Sequence, residues 1–415
     1  MNTGASPNPW TRVFIPFAVG YFLSYLLRNA NAVISPELIR ELELSAADLG
    51  LLTSAYLLAF GAFQLPLGLL LDRFGPRRVE AALLSICAAG CALFATGHGG
   101  AQLTLARALI GLGVSACLMA SFKSFSLWFP PTRQASLNAA IMAAGGFGAL
   151  TASAPLSALL PILGWRGIFF ALAAITLLVA LLISTTPEKR GDGPRETFGE
   201  QLAGLATIFK SRAFWRYAPQ TTTIVGGFMA LQGLWAVPYL TQVEGLSREA
   251  AANVLFLLAA AMMVGFLLIA FFVRRAERAG LSPARLLAIG IGCGLAATLG
   301  IALRLAPAWL LWPMLGLVFA VSNLAYALLA AEFPVSLAGR ANTALNFGAF
   351  LGAFGIQWLF GVAVDGLQAA GLDAASAHRI TLGVLLVMQT AAWGWYLASH
   401  HQPPMRSSRA NGAAG

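Results

Sequence analysis

Charged residues are scarce in this chain of 415 residues: they make up 10% of it, whereas soluble domains carry about 25%. Apolar residues make up 58%, and the mean hydropathy is +0.76. A soluble fold of this size cannot bury so much apolar surface, and the long apolar runs differ from the short alternating segments of a membrane β-barrel. The composition therefore predicts an all-α polytopic membrane protein.

Clusters that could hold a metal or perform catalysis are also lacking. The four cysteines lie in apolar runs with no histidine at metal-ligand spacing, which is typical of small packing residues. No nucleophile–base pair or phosphate-binding loop stands out. We therefore expect neither an enzyme nor a bound metal or cofactor. The opening residues, "MNTGASPNPWTR", are too polar for a signal peptide, so we expect the first apolar run to be a retained span.

Twelve apolar runs approach the length of about 20 residues that a helix needs to cross a bilayer. They lie near 13–34, 47–70, 80–97, 102–127, 136–160, 166–185, 216–240, 250–273, 284–304, 309–331, 342–365 and 379–398. The polar stretch between the sixth and seventh runs ends in "FGEQLAGLATIFKSRAFWR", which predicts an amphipathic helix on the membrane surface. We expect a six-helix half over 1–186, a cytoplasmic linker with that helix over 187–215, a second six-helix half over 216–400 and a disordered cytoplasmic tail over 401–415.

The basic residues are divided unevenly between the two sides of the membrane. If both termini are cytoplasmic, 18 of the 26 lysines and arginines fall in cytoplasmic segments and five fall in outer loops. The positive-inside rule thus predicts a multi-pass protein of the cytoplasmic (inner) membrane with both termini inside. The same rule explains the net charge of +10 without a nucleic-acid partner. The remaining basic residues, Arg28, Arg107 and Lys123, lie within predicted spans.

Four motifs of the first half resemble those of the major facilitator superfamily. "GLLLDRFGPRRV", residues 68–79, resembles its signature loop G-x-L-x-D-R-x-G-R-[RK], and "RALIGLGVS", "WFPPTRQAS" and "GWRGIFF" resemble later motifs. The second half fits by topology, with a weaker echo of the loop at "VRRAERAG". The resemblance implies twelve transmembrane helices in two pseudo-symmetric halves and a monomeric secondary transporter that works by alternating access. It also implies conformational gating roles for Gly68, Asp72, Arg73, Gly75, Arg77 and Arg107.

The stretch "YFLSYLLRNANAV", residues 21–33, places Arg28 inside the first predicted span. An arginine there costs about 3 kcal/mol by insertion scales unless it is paired or faces water. None of the sixteen acidic residues is predicted well inside a span, and Asp72 and Glu80 are expected to flank the signature loop. Because a guanidinium suits bidentate binding of a carboxylate or phosphate, we predict that Arg28 binds an anion. The alternative is that Arg28 extends to the outer interface.

The first span also resembles that of two families within the superfamily. The anion:cation symporters carry D-R-x-N-x-x-x-A there and the organophosphate:phosphate antiporters carry Y-Y-L-x-R, and both use this arginine to bind substrate. The resemblance gives Arg28 that role, with Tyr21 and Tyr25 on the same helix face. The sequence departs at Leu27 and Val114, where the symporters carry their proton-transferring carboxylates. The coupling ion, a proton or a counter-anion, therefore stays open, and anion exchange or uniport gains weight.

Further substrate contacts are predicted on three other spans. Lys123 stands where the symporters often carry lysine, although it can also extend to the interface. In the seventh span, Gln232, Trp235 and Tyr239 are candidates, as is Asn346 in the eleventh, although packing and interhelical hydrogen bonds explain such residues equally well. We predict transport of a small organic anion, a carboxylate, through the lipid bilayer. An exporter of drugs, siderophores or amino-acid derivatives and a transporter-like ligand sensor are the alternatives.

Overall fold

The computed structural model describes residues 8–187, 189 and 198–400, and this part of the chain is helical apart from short turns. Eleven of the described helices are long and apolar enough to cross a membrane, and a shorter apolar helix over Ser136–Thr151 accompanies them. Together they confirm the predicted all-α membrane fold. Two predicted segments lie wholly or largely outside the described residues. They are the first part of the linker, at 188 and 190–197, and the tail, 401–415.

The first half contains seven helices. They are α1 Ile15–Leu42, α2 Ala46–Phe74, α3 Pro76–Ala95, α4 Gly100–Gly113, α5 Cys117–Trp128, α6 Gln134–Thr151 and α7 Ala154–Ser184. A π-helical turn over Trp10–Phe14 leads into α1. Helices α4 and α5 together form the fourth span, Gly100–Trp128.

The predicted loop between the fifth and sixth spans, over 161–165, differs in the structure. Helix α6 ends at Thr151, and α7 continues through the rest of the fifth span and the whole of the sixth. Within α7, Gly164 leaves the helical conformation at φ 63°. Glycine adopts positive φ without steric cost, so a single residue separates the two spans.

The second half begins after α8 Phe198–Phe209, which corresponds to the start of the predicted amphipathic segment. The seventh span, Arg212–Gln242, is assembled from short helices joined by π-helical turns. The helices of this half are α9 Arg212–Gln220, α10 Gly226–Ala230, α11 Ala236–Gln242, α12 Arg248–Arg278, α13 Pro283–Leu303, α14 Ala308–Phe319, α15 Leu324–Ala331, α16 Val335–Ala369 and α17 Ala374–His400.

The two halves are joined at the end of the bundle where α2 begins and α16 ends. The carboxylate of Asp365 accepts hydrogen bonds from the backbone N–H groups of Ala46 and Ala47, at 3.0 and 2.7 Å. These are the unpaired first N–H groups of α2, and an anion is favoured there. Beside them, Arg248 of α12 forms an ion pair with Glu37 of α1. We call these two contacts the interhalf latch.

The opposite end of the bundle carries the signature loop, and the ion pairs described there do not join the two halves. Lys123 pairs with Asp72 inside the first half, and Arg216 pairs with Glu332 inside the second. Each of these described pairs thus stays within one half. The charge pattern of the sequence predicts that this end faces the cytoplasm and that the interhalf latch faces outward.

Candidate anion-binding site

Arg28 lies between the halves inside a group of aromatic rings. Its guanidinium carbon is 4.6 Å from the ring centroid of Tyr25, 5.0 Å from that of Phe60 and 5.3 Å from that of Phe350. Tyr25 and Phe60 belong to the first half, whereas Phe350 comes from α16 of the second and stacks on Phe60 at 4.4 Å. These distances suit cation–π attraction. We call these three rings the aromatic cage.

Close packing of α2 on α16 holds the cage together. A Cβ atom added at Gly61 would lie 2.7 Å from the Cβ of Phe350, so only glycine permits this approach. About two turns towards the latch, Gln357 donates from Nε2 to the hydroxyl of Thr53 at 2.7 Å. Its backbone oxygen accepts a bond from the Trp235 indole at 2.9 Å. The helices that carry Phe60 and Phe350 are therefore fixed in register.

The charge of Arg28 has no acidic counterpart among the described residues. No described ion pair includes it, and its Nε is buried without a hydrogen-bond partner. On α2, the Tyr56 hydroxyl interacts with the guanidinium and donates to the backbone oxygen of Ser24 at 3.2 Å. A half-buried guanidinium with an unmet donor is suited to binding an anion from the space between the halves.

The two predicted tyrosines of α1 have different surroundings. Tyr25 stacks against Arg28, whereas Tyr21 is 4% exposed and its hydroxyl points to the sulfur of Met142 on α6, at 3.9 Å. The two rings meet edge to face at 5.2 Å. Tyr21 therefore supports Tyr25 from behind, and Tyr25 is the one that lies at the guanidinium.

Asn346 lies one helical turn before Phe350 on the same face of α16. Its side-chain oxygen accepts a hydrogen bond from the Tyr326 hydroxyl at 3.3 Å. Tyr326 is within electrostatic range of Tyr25 across the interface between the halves. Tyr326 and the Asn346 amide bonded to it therefore bring polar groups of the second half near Tyr25.

The other predicted substrate contacts lie elsewhere. The Trp235 indole is committed to Gln357, and Tyr239 donates to the backbone oxygen of Ile301 at 3.1 Å within the second half. Gln232 is buried in the π-helical turn Leu231–Trp235. Lys123 pairs with Asp72 at the opposite end of the bundle. No described hydrogen bond or ion pair joins any of these four side chains to the Arg28 guanidinium, and their role as substrate contacts stays a prediction.

The predicted gating residues cluster around the signature loop. Gly75 adopts φ 82° between α2 and α3, and Arg77 donates from Nη1 to the backbone oxygen of Thr186 at 3.1 Å. Arg73 lies over the ring of Phe74, and Gly68 is exposed on α2. Asp72 is paired with Lys123 of its own half. The loop is thus braced against α5 and the end of α7.

Arg107, the last predicted gating residue, is 1% exposed and lies against the first span. It donates from Nη1 to the backbone oxygen of Leu27 at 3.0 Å, and its guanidinium carbon is 4.8 Å from the Tyr56 ring. One turn later, a Cβ atom at Gly111 would lie 2.2 Å from the backbone oxygen of Tyr56. Gly111 of the motif therefore lets α4 approach α2 closely enough for this contact.

Glu80 is expected from the sequence to flank the signature loop at the start of the third span, but the structure places it inside α3 and buries it. Gly75 ends the turn and Pro76 opens α3, so Glu80 lies a full turn inside the helix and is 0% exposed. The Gly75–Pro76 pair is a helix-start signal that could have located it, because proline favours the first helical position.

Comparison with curated proteins finds relatives among bacterial transporters. The chain is 30% identical over 159 residues to the probable L-galactonate transporter of Escherichia coli (strain K12), which covers 38% of this chain and 35% of that protein. It is 28% identical over 175 residues to the probable sulfoacetate transporter SauU of Cupriavidus necator, covering 41% and 40% respectively. The chain therefore matches less than half the length of each of these relatives.

Comparison with solved structures shows the fold. A D-xylose–proton symporter superposes with a TM-score of 0.75 at 17% identity, over 94% of this chain and 97% of that one. The family model of the Major Facilitator Superfamily matches residues 17–356. This match covers well over half of the chain, and the helices and the signature loop agree with it. The protein thus belongs to the Major Facilitator Superfamily.

Proposed function

We propose that this transporter moves a small organic anion, a carboxylate, across the cytoplasmic membrane with both termini in the cytoplasm. The linker joins two halves, over 1–186 and 216–400. Their rearrangement would open the site between them first to one side of the membrane and then to the other. The observation that carries the proposal is Arg28, a guanidinium without a described acidic partner, enclosed by rings from both halves.

The low dielectric around the cage strengthens attraction between Arg28 and an entering anion. Two N–H groups of a guanidinium match the two oxygens of a carboxylate, so the anion would be gripped bidentately. Phe350 reaches Arg28 from the second half, which makes the surroundings of the bound anion depend on how the halves are arranged. A ligand that binds one arrangement better shifts the protein towards it, as alternating access requires.

A singly charged acid suits the site better than a phosphate ester. The other two basic residues of the first-half spans are engaged, Arg107 with Leu27 and Lys123 with Asp72. A phosphate dianion would keep one charge uncompensated in a low-dielectric site. Asn346 and Tyr326 would then contact hydroxyl groups of the substrate. The name of one relative, a probable L-galactonate transporter, supports an acid of this kind, because galactonate carries a single carboxylate.

Thermal unfolding of the detergent-purified protein tests the proposal. The probes are L-galactonate, sulfoacetate, glycerol 3-phosphate, neutral D-galactose and the apolar cation ethidium. A ligand at 100 times its Kd raises the free energy of unfolding by about 2.7 kcal/mol. We expect stabilisation by an organic acid, no effect of galactose, and loss of the acid effect in Arg28→Ala.

Two alternatives are outcomes of the same experiment. Stabilisation by ethidium alone, unchanged in Arg28→Ala, would indicate an exporter of apolar compounds. Stabilisation by an acid that proteoliposomes then fail to accumulate or exchange would indicate a ligand sensor with a transporter fold. Uptake of the acid that depends on Arg28 supports the proposal against both.

A further inference from the structure

Glu80 is a carboxyl group sealed inside the first half. It is 0% exposed, and in the described part of the chain the weakly donating thiol of Cys117 is the one side-chain group found to interact with its oxygens. Among the described residues it is the single buried carboxyl. A buried polar group without a partner is costly, and an unpaired buried charge is far costlier. A group kept in such surroundings calls for an explanation.

Three helices besides α3 meet at this carboxyl. On α1, a Cβ atom added at Gly20 would lie 2.5 Å from Glu80 Oε1 and 3.5 Å from Ile183 of α7. On α5, the Cys117 thiol lies beside the carboxyl group. The backbone of α1 therefore rests directly on Glu80 at a glycine, and the Cys117 thiol lies against the same carboxyl group.

No ion pair joins Glu80 to a basic side chain in the part of the chain that the structure describes. Cys117 is the titratable group that faces it. The charged groups of the helices packed around α3 make other contacts: Asp72 with Lys123, Arg73 over the Phe74 ring, Arg107 with the Leu27 backbone, Arg166 with Glu41, and Arg28 in the aromatic cage. Arg77 of α3 itself donates to Thr186.

We infer that Glu80 is a proton-binding site coupled to the anion site through α1, so that the transporter carries its anion together with a proton. The inference rests on the proposed function. Glu80 would supply the titrating carboxyl group that the anion:cation symporters carry at the positions of Leu27 and Val114. The step is simple: the carboxylate takes up one proton to become a neutral acid, and it releases the proton when water reaches it.

The coupling follows from the position of α1. A neutral acid tolerates the dry contact with Gly20, whereas an ionised carboxylate requires water or a partner. Loss of the proton therefore favours movement of α1 away from α3. Arg28 lies eight residues beyond Gly20 on the same helix, about 12 Å at the rise of an α-helix. The position of α1 that keeps the proton on Glu80 is thus the position in which the aromatic cage around Arg28 is formed. Binding of the proton therefore favours binding of the anion, and binding of the anion favours binding of the proton.

Thermal stability as a function of pH tests the proton site without any substrate. Glutamine has the shape of the neutral acid, so Glu80→Gln should melt at the temperature of the wild type at low pH. As pH rises, the wild type should lose stability relative to Glu80→Gln, because its folded state holds a proton that the unfolded chain releases. Glu80→Met should show the same loss of pH response, while the exposed Glu277→Gln should follow the wild type. Melting curves that stay parallel in all four proteins would overturn the inference.

Uptake into proteoliposomes tests the coupling. The probe is radiolabelled L-galactonate, with a pH gradient that is acidic on the side of entry. We expect the gradient to increase wild-type uptake severalfold and to have no effect on Glu80→Gln or Glu80→Met, both of which should still be stabilised by the anion. If these variants keep the full response to the gradient while binding still requires Arg28, the proton inference fails and the proposed function stands. If no organic acid binds the wild type, both fail.

Discussion

The guanidinium of Arg107 donates from Nη1 to the backbone oxygen of Leu27, at 3.0 Å, immediately before Arg28 in the chain. Arg107 is buried and its charge lies over the Tyr56 ring. It therefore fixes the backbone of α1 at the point from which Arg28 extends. Two arginines of the first half were predicted within spans, and their contacts differ: Arg107 holds the backbone of α1, whereas Arg28 is the one that we propose binds the anion.

Arg28→Ala should abolish stabilisation by the organic acid. Hydrogen bonds to a charged group contribute about 1.5–3 kcal/mol, so affinity should fall by a factor of about 10 to 150. Arg28→Lys keeps the charge but loses the planar pair of donors, and it should also bind weakly. Titration by thermal shift measures both, and Arg40→Ala, an exposed position on the same helix, is the matched control. Equal affinity in Arg28→Ala and Arg40→Ala would move the site away from Arg28.

Gly111→Ala should destabilise the first half, because the new methyl group would lie 2.2 Å from the backbone oxygen of Tyr56. Overpacking of this kind costs about 1–3 kcal/mol. At Gly383 of α17 no atom lies within 4 Å of an added Cβ, so Gly383→Ala should gain about 0.5–1 kcal/mol of helix stability instead. The melting temperatures of Gly111→Ala, Gly383→Ala and the wild type, measured under the same conditions, test both effects. A shift of the same sign in both variants would contradict the packing argument.

Opening of the interhalf latch should shift the arrangement of the two halves. Asp365→Ala leaves the N–H groups of Ala46 and Ala47 unpaired, and loss of such a cap costs about 0.5–2 kcal/mol. The population with that end open should therefore rise by a factor of about 2 to 30. Spin labels on cysteines at the exposed Arg40 and Glu249 report the separation of the halves there.

The matched control for the latch is Glu332→Gln. This change removes an ion pair at the opposite end of the bundle, within one half. It should leave the label distances unchanged. If Asp365→Ala and Glu332→Gln give the same distance distribution, Asp365 does not hold the halves together.

Asp373 should make the start of α17 sensitive to acid. Hydrogen bonds from the Ser376 hydroxyl and backbone N–H lower the pKa of the Asp373 carboxyl, which lies outside the spans. The folded state thus favours the ionised form, so this stabilisation is present above the ordinary pKa of aspartate and is lost as pH falls through the lowered value. Asp373→Ala should melt below the wild type at neutral pH, and the difference should disappear in acid. A constant difference at every pH would show that the cap does not titrate.

The helical architecture and the central arginine could be predicted from the sequence because both depend on local composition. An apolar run of about 20 residues predicts a span. An arginine inside such a run, as Arg28 is, can be recognised directly. The aromatic cage could not be predicted, since Phe60 and Phe350 belong to different halves and meet only through the packing of α2 on α16 at Gly61. Nothing near either phenylalanine in the sequence marks it as a neighbour of a cation.

Errors arose where a single residue controls the backbone. Gly164 separates two spans that the run lengths placed on either side of a five-residue loop. Gly75 and Pro76 start α3 a turn earlier than the first apolar residues suggest, and this turn carries Glu80 into the interior. Hydrophobic periodicity is insensitive to such positions because it averages over several residues.

The absence of a described carboxylate beside Arg28 has an electrical consequence. An empty site with Glu80 ionised contains one positive and one negative charge, and a site loaded with a monoanion and a proton contains the same net charge of zero. A membrane potential acts on each net elementary charge that crosses it, by about 2.3 kcal/mol per 100 mV. The membrane potential would therefore have no effect on the step in which the loaded or the empty transporter changes the side to which its site is open. Accumulation of the anion would follow the pH difference across the membrane alone, and recordings under voltage clamp would show no steady current.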